Sequence, residues 1–474
     1  MTRLKRPSIV LLLLIFIAAF FGFSSVAAGE MLGIYHRGKQ PGHWVCWDGN
    51  PILLIGDSVT QGWMELGKNF KQEEYIDALA SRGINLLMIW SYIGTDAHRQ
   101  KEDPRIGYDA QEIWPWQGSP DKGNFDLTRF NLAYFEKLKD LVAYAEKQRI
   151  IILITVHDGW TKDRFKMHPF NASLGNGPLT DKRQYVELAD YEEEMPIIFN
   201  RGWRRKQKNQ YFQERFCDKL ITELNSYKNV VYEMFNEGEW YNRRYRNQHE
   251  QHFLTFFRVR CNNLLVTNTD HIFGDNPHAD NKVDVVSFHG NWKDRFSDFE
   301  SSFNNTPPKP CLLSEPVPEF RGSNFLDTIR QSVWGVTMGG ASWLNQNDTS
   351  FGWDPNTEIA SKATVRDKAY DYAGHCARFF NSSRVNFSDM RPRGDLSSTG
   401  ICMAREGVEY VVYTPSGGTF TVDLSATSGA LRGQWYDPRA GHFSGKALIT
   451  GGRVSTFITP DENDWVLYII SDYK

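Results

Sequence analysis

Residues 209–240 read NQYFQERFCDKLITELNSYKNVVYEMFNEGEW, and their order decides the fold. The stretch 209–227 has helical periodicity. The stretch 228–240 then enters an apolar run of strand length that ends in Asn236, Glu237, Glu239 and Trp240. A helix feeding directly into a buried strand is half of a β/α repeat, and the same pairing recurs on both sides. Upstream, strands are expected at NPILLIGD (50–57), INLLMIWSY (84–92) and RIIILITVHDGW (149–160), separated by helices over 71–83 and 130–148. Downstream, a helix over 251–265 precedes a weak fifth strand, HIFGD (271–275). Strands then follow at VDVVSFHG (283–290), KPCLLSEP (309–316) and ASWLNQ (341–346), with helices over 324–340 and 363–380.

Eight apolar strands separated by helices predict a parallel sheet buried on both faces. A closed (β/α)8 barrel fits the count; an open doubly wound sheet is the alternative topology. One link is irregular. About eight residues join the fifth and sixth strands, too few for a crossover helix. The stretch 161–208 is long for a connection and is expected to carry short helices above the barrel mouth.

The ends of the chain differ from this pattern. From about residue 392 the sequence turns Pro/Gly/Ser-rich and then shows short strands at regular spacing, with turns at 405–407 and 415–418. This predicts a small antiparallel β-sandwich. At the other end, Arg3, Lys5 and Arg6 precede the apolar run 9–23 and the small residues SSVAAG. That is the layout of a secretory signal peptide over 1–28, with an uncleaved anchor as its alternative. The expected organisation is therefore a signal peptide at 1–28, a barrel at 33–390 and a sandwich at 395–474. The mature chain would be secreted or periplasmic and would make no membrane contact.

The 474 residues are 41% hydrophobic and 23% charged, an ordinary globular composition that excludes disordered and collagen-like chains. Net charge is −3, and removal of three leader cations takes it to −6, so no basic excess points to nucleic acid. Six scattered cysteines without a CxxC pair argue against a zinc site, and no cofactor or metal is expected. The 14% aromatic content, with 15 Trp, supplies flat apolar faces of the kind sugar clefts use.

In parallel barrels the functional groups lie just past the C-terminal ends of the strands. Those positions here hold Asp57 and Ser58; Trp90; His157, Asp158 and Trp160; Asn236, Glu237 and Trp240; His289; Glu315; and Trp343 with Gln346. Two carboxylates, Glu237 and Glu315, follow directly from apolar strands. Glycoside hydrolysis needs such a pair, one to protonate the leaving oxygen and one to attack or to activate water. Asn236 is placed to bond a sugar hydroxyl, His289 to tune a carboxylate, and Trp343 to floor the sugar ring. Asp57, Trp90, His157, Asp158, Trp160, Trp240 and Gln346 complete the candidate substrate-binding set.

FNE after the fourth strand, SEP after the seventh and SW in the eighth resemble glycoside hydrolase clan A. The resemblance implies Glu237 as acid/base and Glu315 as nucleophile, with retention of configuration. GNPILLIGDSVTQGW followed by SRGINLLMIW resembles the apiosidase-like barrel family, although Ser58 stands where Thr is usual. The second catalytic residue varies among apiosidase-like proteins, where an Asp can take part, which keeps Asp57 and Asp158 as alternatives. The strings QWYDPRAGHF and DENDWVLYII resemble its C-terminal partner, a domain labelled as collagen-binding. Together the two resemblances cover about residues 33–470 and imply a carbohydrate substrate. Two rival functions stay open: a GDS-type esterase using Ser58 with the DNPH string at 275–278, and a carbohydrate-binding surface protein without catalysis.

Overall fold

The computed structural model describes residues 32–36, 42–59, 71–92, 113–119, 124–158, 169–170, 203–236, 243–268, 277–316, 325–347 and 363–471. The expected signal peptide and most of 161–208 lie outside the described residues.

The N-terminal strands are β1 (Gly33–Ile34), β2 (Val45–Trp47) and β3 (Asn50–Ile52), which form a small antiparallel sheet. Then come β4 (Ile55–Val59), β5 (Leu86–Trp90), a hairpin of β6 (Trp116–Ser119) and β7 (Asn124–Phe130), β8 (Ile151–Asp158) and β9 (Val230–Asn236). They are followed by β10 (Leu265–Asn268), β11 (Val285–His289), β12 (Cys311–Glu315) and β13 (Ser342–Asn347). The helices are α1 (Gln72–Ala80), α2 (Leu132–Lys147), α3 (Trp203–Leu224), α4 (Arg243–Arg258), α5 (Trp292–Phe303), α6 (Phe325–Met338) and α7 (Ala363–Phe380). Strands β4, β5 and β8 to β13 close into an eight-stranded barrel, each paired in parallel with its neighbours.

Alternation along each strand builds two cores. Leu86, Met88 and Trp90 of β5, Ile151 and Leu153 of β8, Val231, Val266, Val285, Leu312 and Leu344 meet inside the barrel. The intervening residues, among them Leu87, Ile89, Ile152, Ile154, Tyr232, Val286, Leu313 and Trp343, pack outward against the helices. Val45, Trp47 and Leu32 join the inner core, so the N-terminal sheet plugs the barrel at its N-terminal end.

Three sequence expectations change. The run 50–57 is two strands, because Asn50–Ile52 belongs to the plug. At the break, two side-chain amides, the buried Asn85 and the exposed Asn381, serve Leu53 and Ile55. Asn381 bonds both the N–H and the C=O of Leu53, and Asn85 bonds Leu53 C=O and Ile55 N–H. The fifth barrel strand is Leu265–Asn268, not 271–275, which lies outside the described residues. The preceding helix ends at Arg258 and leaves LVTN to pair with β9 and β11. The link to the sixth strand is correspondingly longer. Helix α5 was not read from the sequence; Asn291 caps it by accepting from Lys293 N–H at 2.9 Å.

The C-terminal strands are β14 (Arg391–Pro392), β15 (Cys402–Arg405), β16 (Glu409–Thr414), β17 (Thr419–Asp423), β18 (Ala430–Asp437), β19 (His442–Thr450), β20 (Val454–Ile458) and β21 (Trp465–Ser471). Six form a sheet in the order β14-β15-β16-β21-β18-β19, and β17 pairs with β20. One face of the sheet, with Tyr410, Val412, Leu467 and Ile469, makes the interior of the sandwich. The other, with Val411, Tyr413, Tyr436 and Val466, is continuous with the outer core of the barrel. Trp334 of α6 stacks on Tyr413, and Phe379 of α7 meets Tyr436.

A buried ion pair pins this junction. The Arg330 guanidinium of α6 donates twice to Asp464, through Nε at 2.8 Å and an Nη at 2.7 Å. Tyr413 Oη donates to the same carboxylate at 3.1 Å. Both charged groups are almost fully buried, and without Asp464 the guanidinium would keep only the exposed Asp327, 2.9 Å away on its own helix. Asp464→Ala should therefore destabilise the fold by about 3 kcal/mol, read as a lowered urea midpoint, whereas Glu74→Ala, which removes the exposed pair with Lys71, should cost well under about 1 kcal/mol.

Candidate active site

The barrel mouth is built from strand ends, and the alternation determines which side chains reach it. Trp90, at the same parity as Leu86 and Met88, points inward at the end of β5. At the same register, Thr155 Oγ1 of β8, the pairing partner of Trp90, donates at 2.7 Å to Glu233 Oε2 of β9. Both are fully buried. Glu233 escaped the sequence reading, although a lone carboxylate at the parity of Val231 within VVYEMFN was the available signal.

On β12 the alternation is broken. Leu312 faces inward, while Cys311 and Leu313 face the helices, so Glu315 would face outward by simple parity. The β11–β12 register forbids that. Phe288 pairs with Leu313 and His289 pairs with Glu315, so one step on β11 spans two on β12 and Ser314 is the extra residue. A bulge of this kind re-aims the side chains that follow it. Ser314 Oγ lies 2.5 Å from Ser287 Oγ, and Glu315 Oε2 lies 3.5 Å from His289 Nδ1. The turn is held by Gly290 N–H, which donates to Glu315 C=O at 2.9 Å, and by Arg295 Nε, which donates to His289 C=O at 2.8 Å.

Glu315 is only 4% exposed and His289 7%. Burial, reinforced by the positive charge of Arg295, lowers the His289 pKa to about 3. The imidazole that faces Glu315 is therefore uncharged at neutral pH. It can hold the carboxylate by a polar contact without neutralising it.

Other sequence candidates stand elsewhere. Asp57 is fully buried on the outer face of β4 and accepts from Tyr75 Oη at 2.5 Å, Tyr370 Oη at 2.8 Å and Asn345 Nδ2 at 2.8 Å. It ties the strand to α1, α7 and β13 instead of meeting a substrate. Trp343 is not a floor for a sugar ring. It is fully buried in the outer core, and its Nε1 donates to Ser332 Oγ of α6 at 2.9 Å. His157 packs on His249 and Phe253 of α4 and lies 4.0 Å from Cys217 Sγ of α3, drawn into the aromatic seam between these helices. Asn236 closes β9 and is buried. Glu237, Trp160 and Trp240 lie outside the described residues, as do the side chains of Asp158 and Gln346.

The geometry removes support for the esterase reading. Ser58 is fully buried within β4. His278, of the DNPH string, lies at the other end of the barrel. It bonds Ser302 near the end of α5, and its neighbour Pro277 accepts from Lys309, just before β12 begins. No nucleophile–base pair can form across that length.

Residues 396–470 match the family model described as "Putative collagen-binding domain of a collagenase". No curated protein matches the chain by sequence. The fold is similar to that of a solved glycoside hydrolase, with a TM-score of 0.66 at 13% identity, covering 94% of this chain and 98% of that one. It is also similar to a glycoside hydrolase of family 5 from Bacteroides vulgatus, with a TM-score of 0.63 at 15% identity and 94% coverage of both chains. These spans take in barrel and sandwich together, so the two-domain architecture is shared.

The neutral state of His289 has a thermodynamic consequence. Its folded pKa of about 3 lies below the ordinary value, so between pH 6.5 and 3 the unfolded chain binds the extra proton. Its contribution to stability is complete above pH 6.5 and is lost as pH falls toward 3. In urea titrations across this range, His289→Gln should lose less stability than wild type, with the difference opening below pH 6.5. Parallel curves would contradict the buried neutral imidazole.

Proposed function

We propose that this protein is an exported, retaining glycoside hydrolase acting on plant or microbial polysaccharides or oligosaccharides. The observation that carries the reading is Glu315, turned into the mouth of a closed parallel barrel by the bulge at Ser314 and set beside a neutral His289. A carboxylate in that place, backed by an uncharged imidazole, suits nucleophilic attack on an anomeric carbon. Glu237, the residue after Asn236, is the partner acid/base that the clan A resemblance implies.

In the first step Glu315 Oε forms the bond to the anomeric carbon as the glycosidic C–O bond breaks, and Glu237 gives its proton to the leaving oxygen. In the second step Glu237 takes a proton from water, which displaces Glu315 and restores the starting configuration. Among the described residues, Trp90, facing inward at the end of β5, takes the sugar-facing role that the sequence reading gives to Trp343. The apiosidase-like resemblance directs the first substrates to be tried toward apiose-bearing side chains.

Sugar release from a panel of plant and microbial glycans tests the proposal. Glu315→Gln and Glu237→Gln should each lower turnover by about three orders of magnitude or more, and Ser58→Ala should retain it. Proton NMR of the first-formed product should show the anomeric configuration of the substrate, consistent with carboxyl groups about 5–5.5 Å apart. Inversion, or activity that survives in both Glu variants, would sink the assignment.

A further inference from the structure

A cleft of about 580 Å³ lies away from the barrel mouth, where the barrel-side face of the C-terminal sheet passes the segment after α7. That volume falls in the range of ligand sites. Its walls include Arg384, Arg432, Lys446, Gln434, Tyr468 and Leu448, and no Asp or Glu among the described residues lines it. Three cations around one concavity are notable in a chain whose net charge is −3.

The strand register explains how they converge. Arg432 of β18 sits between Leu448 of β19 and Ile470 of β21, and Gln434 sits opposite Tyr468. Lys446 stands two residues from Leu448 on β19, at the same parity. Arg384 closes the side of the cleft. Its guanidinium lies 3.7 Å from the Phe443 ring centre and 5.6 Å from that of Tyr468, so it is held in place before any ligand arrives. Arg384 and Lys446 make no ion pair among the described residues. Among the described residues, the nearby Glu409 is buried behind the wall and accepts from Tyr468 Oη at 2.7 Å.

We infer that this cleft binds the carboxylate groups of an acidic, uronate-containing polysaccharide. Guanidinium groups pair with carboxylates through parallel N–H···O bonds, the Lys446 ammonium adds a point charge, and Gln434 with the Tyr468 ring supplies contacts of the kind a sugar hydroxyl and ring face need. Helix α7 runs from the end of β13 at the mouth back to the N-terminal end of the barrel, so Arg384 lies far from Glu315. The cleft therefore anchors a polymer and does not position the bond that is cut. The choice of a glycan as the anion rests on the glycosidase reading; the binding chemistry does not.

Native affinity electrophoresis of the purified protein tests this, with gels containing polygalacturonate, neutral galactomannan or gelatin. Polygalacturonate should retard the protein, increasingly so at low salt, and galactomannan should not. Lys446→Glu alone, at an exposed position, should weaken apparent affinity several-fold, and Arg432→Glu with Lys446→Glu should abolish retardation while the thermal midpoint stays near wild type. Glu315→Gln should bind like wild type, so failure of the catalytic reading and failure of the cleft are seen separately. No retardation by polygalacturonate, retardation unchanged in the double variant, or retardation by gelatin in its place would overturn the inference.

Discussion

In a closed parallel barrel every strand has one face for the helices and one for the interior. A side chain reaches the mouth only at the right parity or through a break in it. Parity sends Trp90, Thr155, Glu233 and His289 inward. It sends Asp57, Trp343 and Asn345 outward, where they become part of the attachment between strands and helices. Glu315 has the wrong parity and comes inward because Ser314 adds one residue to β12. The proposed chemistry depends on that single residue, since without the bulge the carboxylate would face α6 or its neighbours and leave the mouth without its second acid.

The rest of the architecture supports this arrangement. The plug formed by Leu32, Val45 and Trp47 fills the N-terminal end, so the interior is solid below the mouth. Asp57, gripped by two tyrosine hydroxyls and an amide, fixes β4 against α1, α7 and β13, the place where the first and last strands must meet to close the barrel. The sandwich is bound to α6 and α7 through aromatic packing and the Arg330–Asp464 pair, so it behaves as an extension of the barrel core and not as a tethered module.

Much of the fold was legible in the sequence because parallel strands buried on both faces are near-continuous apolar runs. LLMIW, IILITV and VVYEMF could hardly be anything else. LVTN could be, being four residues long and close to a helix, and so the sequence pattern points to 271–275 for the fifth strand instead. Helix α5 was hidden by its composition, since WKDRFSDFESSF carries few apolar residues beyond one narrow stripe. At the site, the position of a residue at a strand end was readable, but its facing was not. Proximity in sequence puts Trp343 and Asp57 at the mouth, and only the register shows their side chains on the outer face. Glu315 was assigned correctly to the strand end, yet the bulge that turns it leaves no mark in SEP. Glu233 was passed over because it lies within the run and not after it.

The most direct test is to trap the covalent intermediate. A 2-deoxy-2-fluoro glycoside of the released sugar, with an activated leaving group, slows the second step and leaves the sugar bonded to the nucleophile. Peptide mass spectrometry should then place the label on Glu315, within KPCLLSEP (309–316). A label on any other carboxylate, such as Asp158 or Glu233, would contradict the account. So would steady turnover of the probe with inversion and no label.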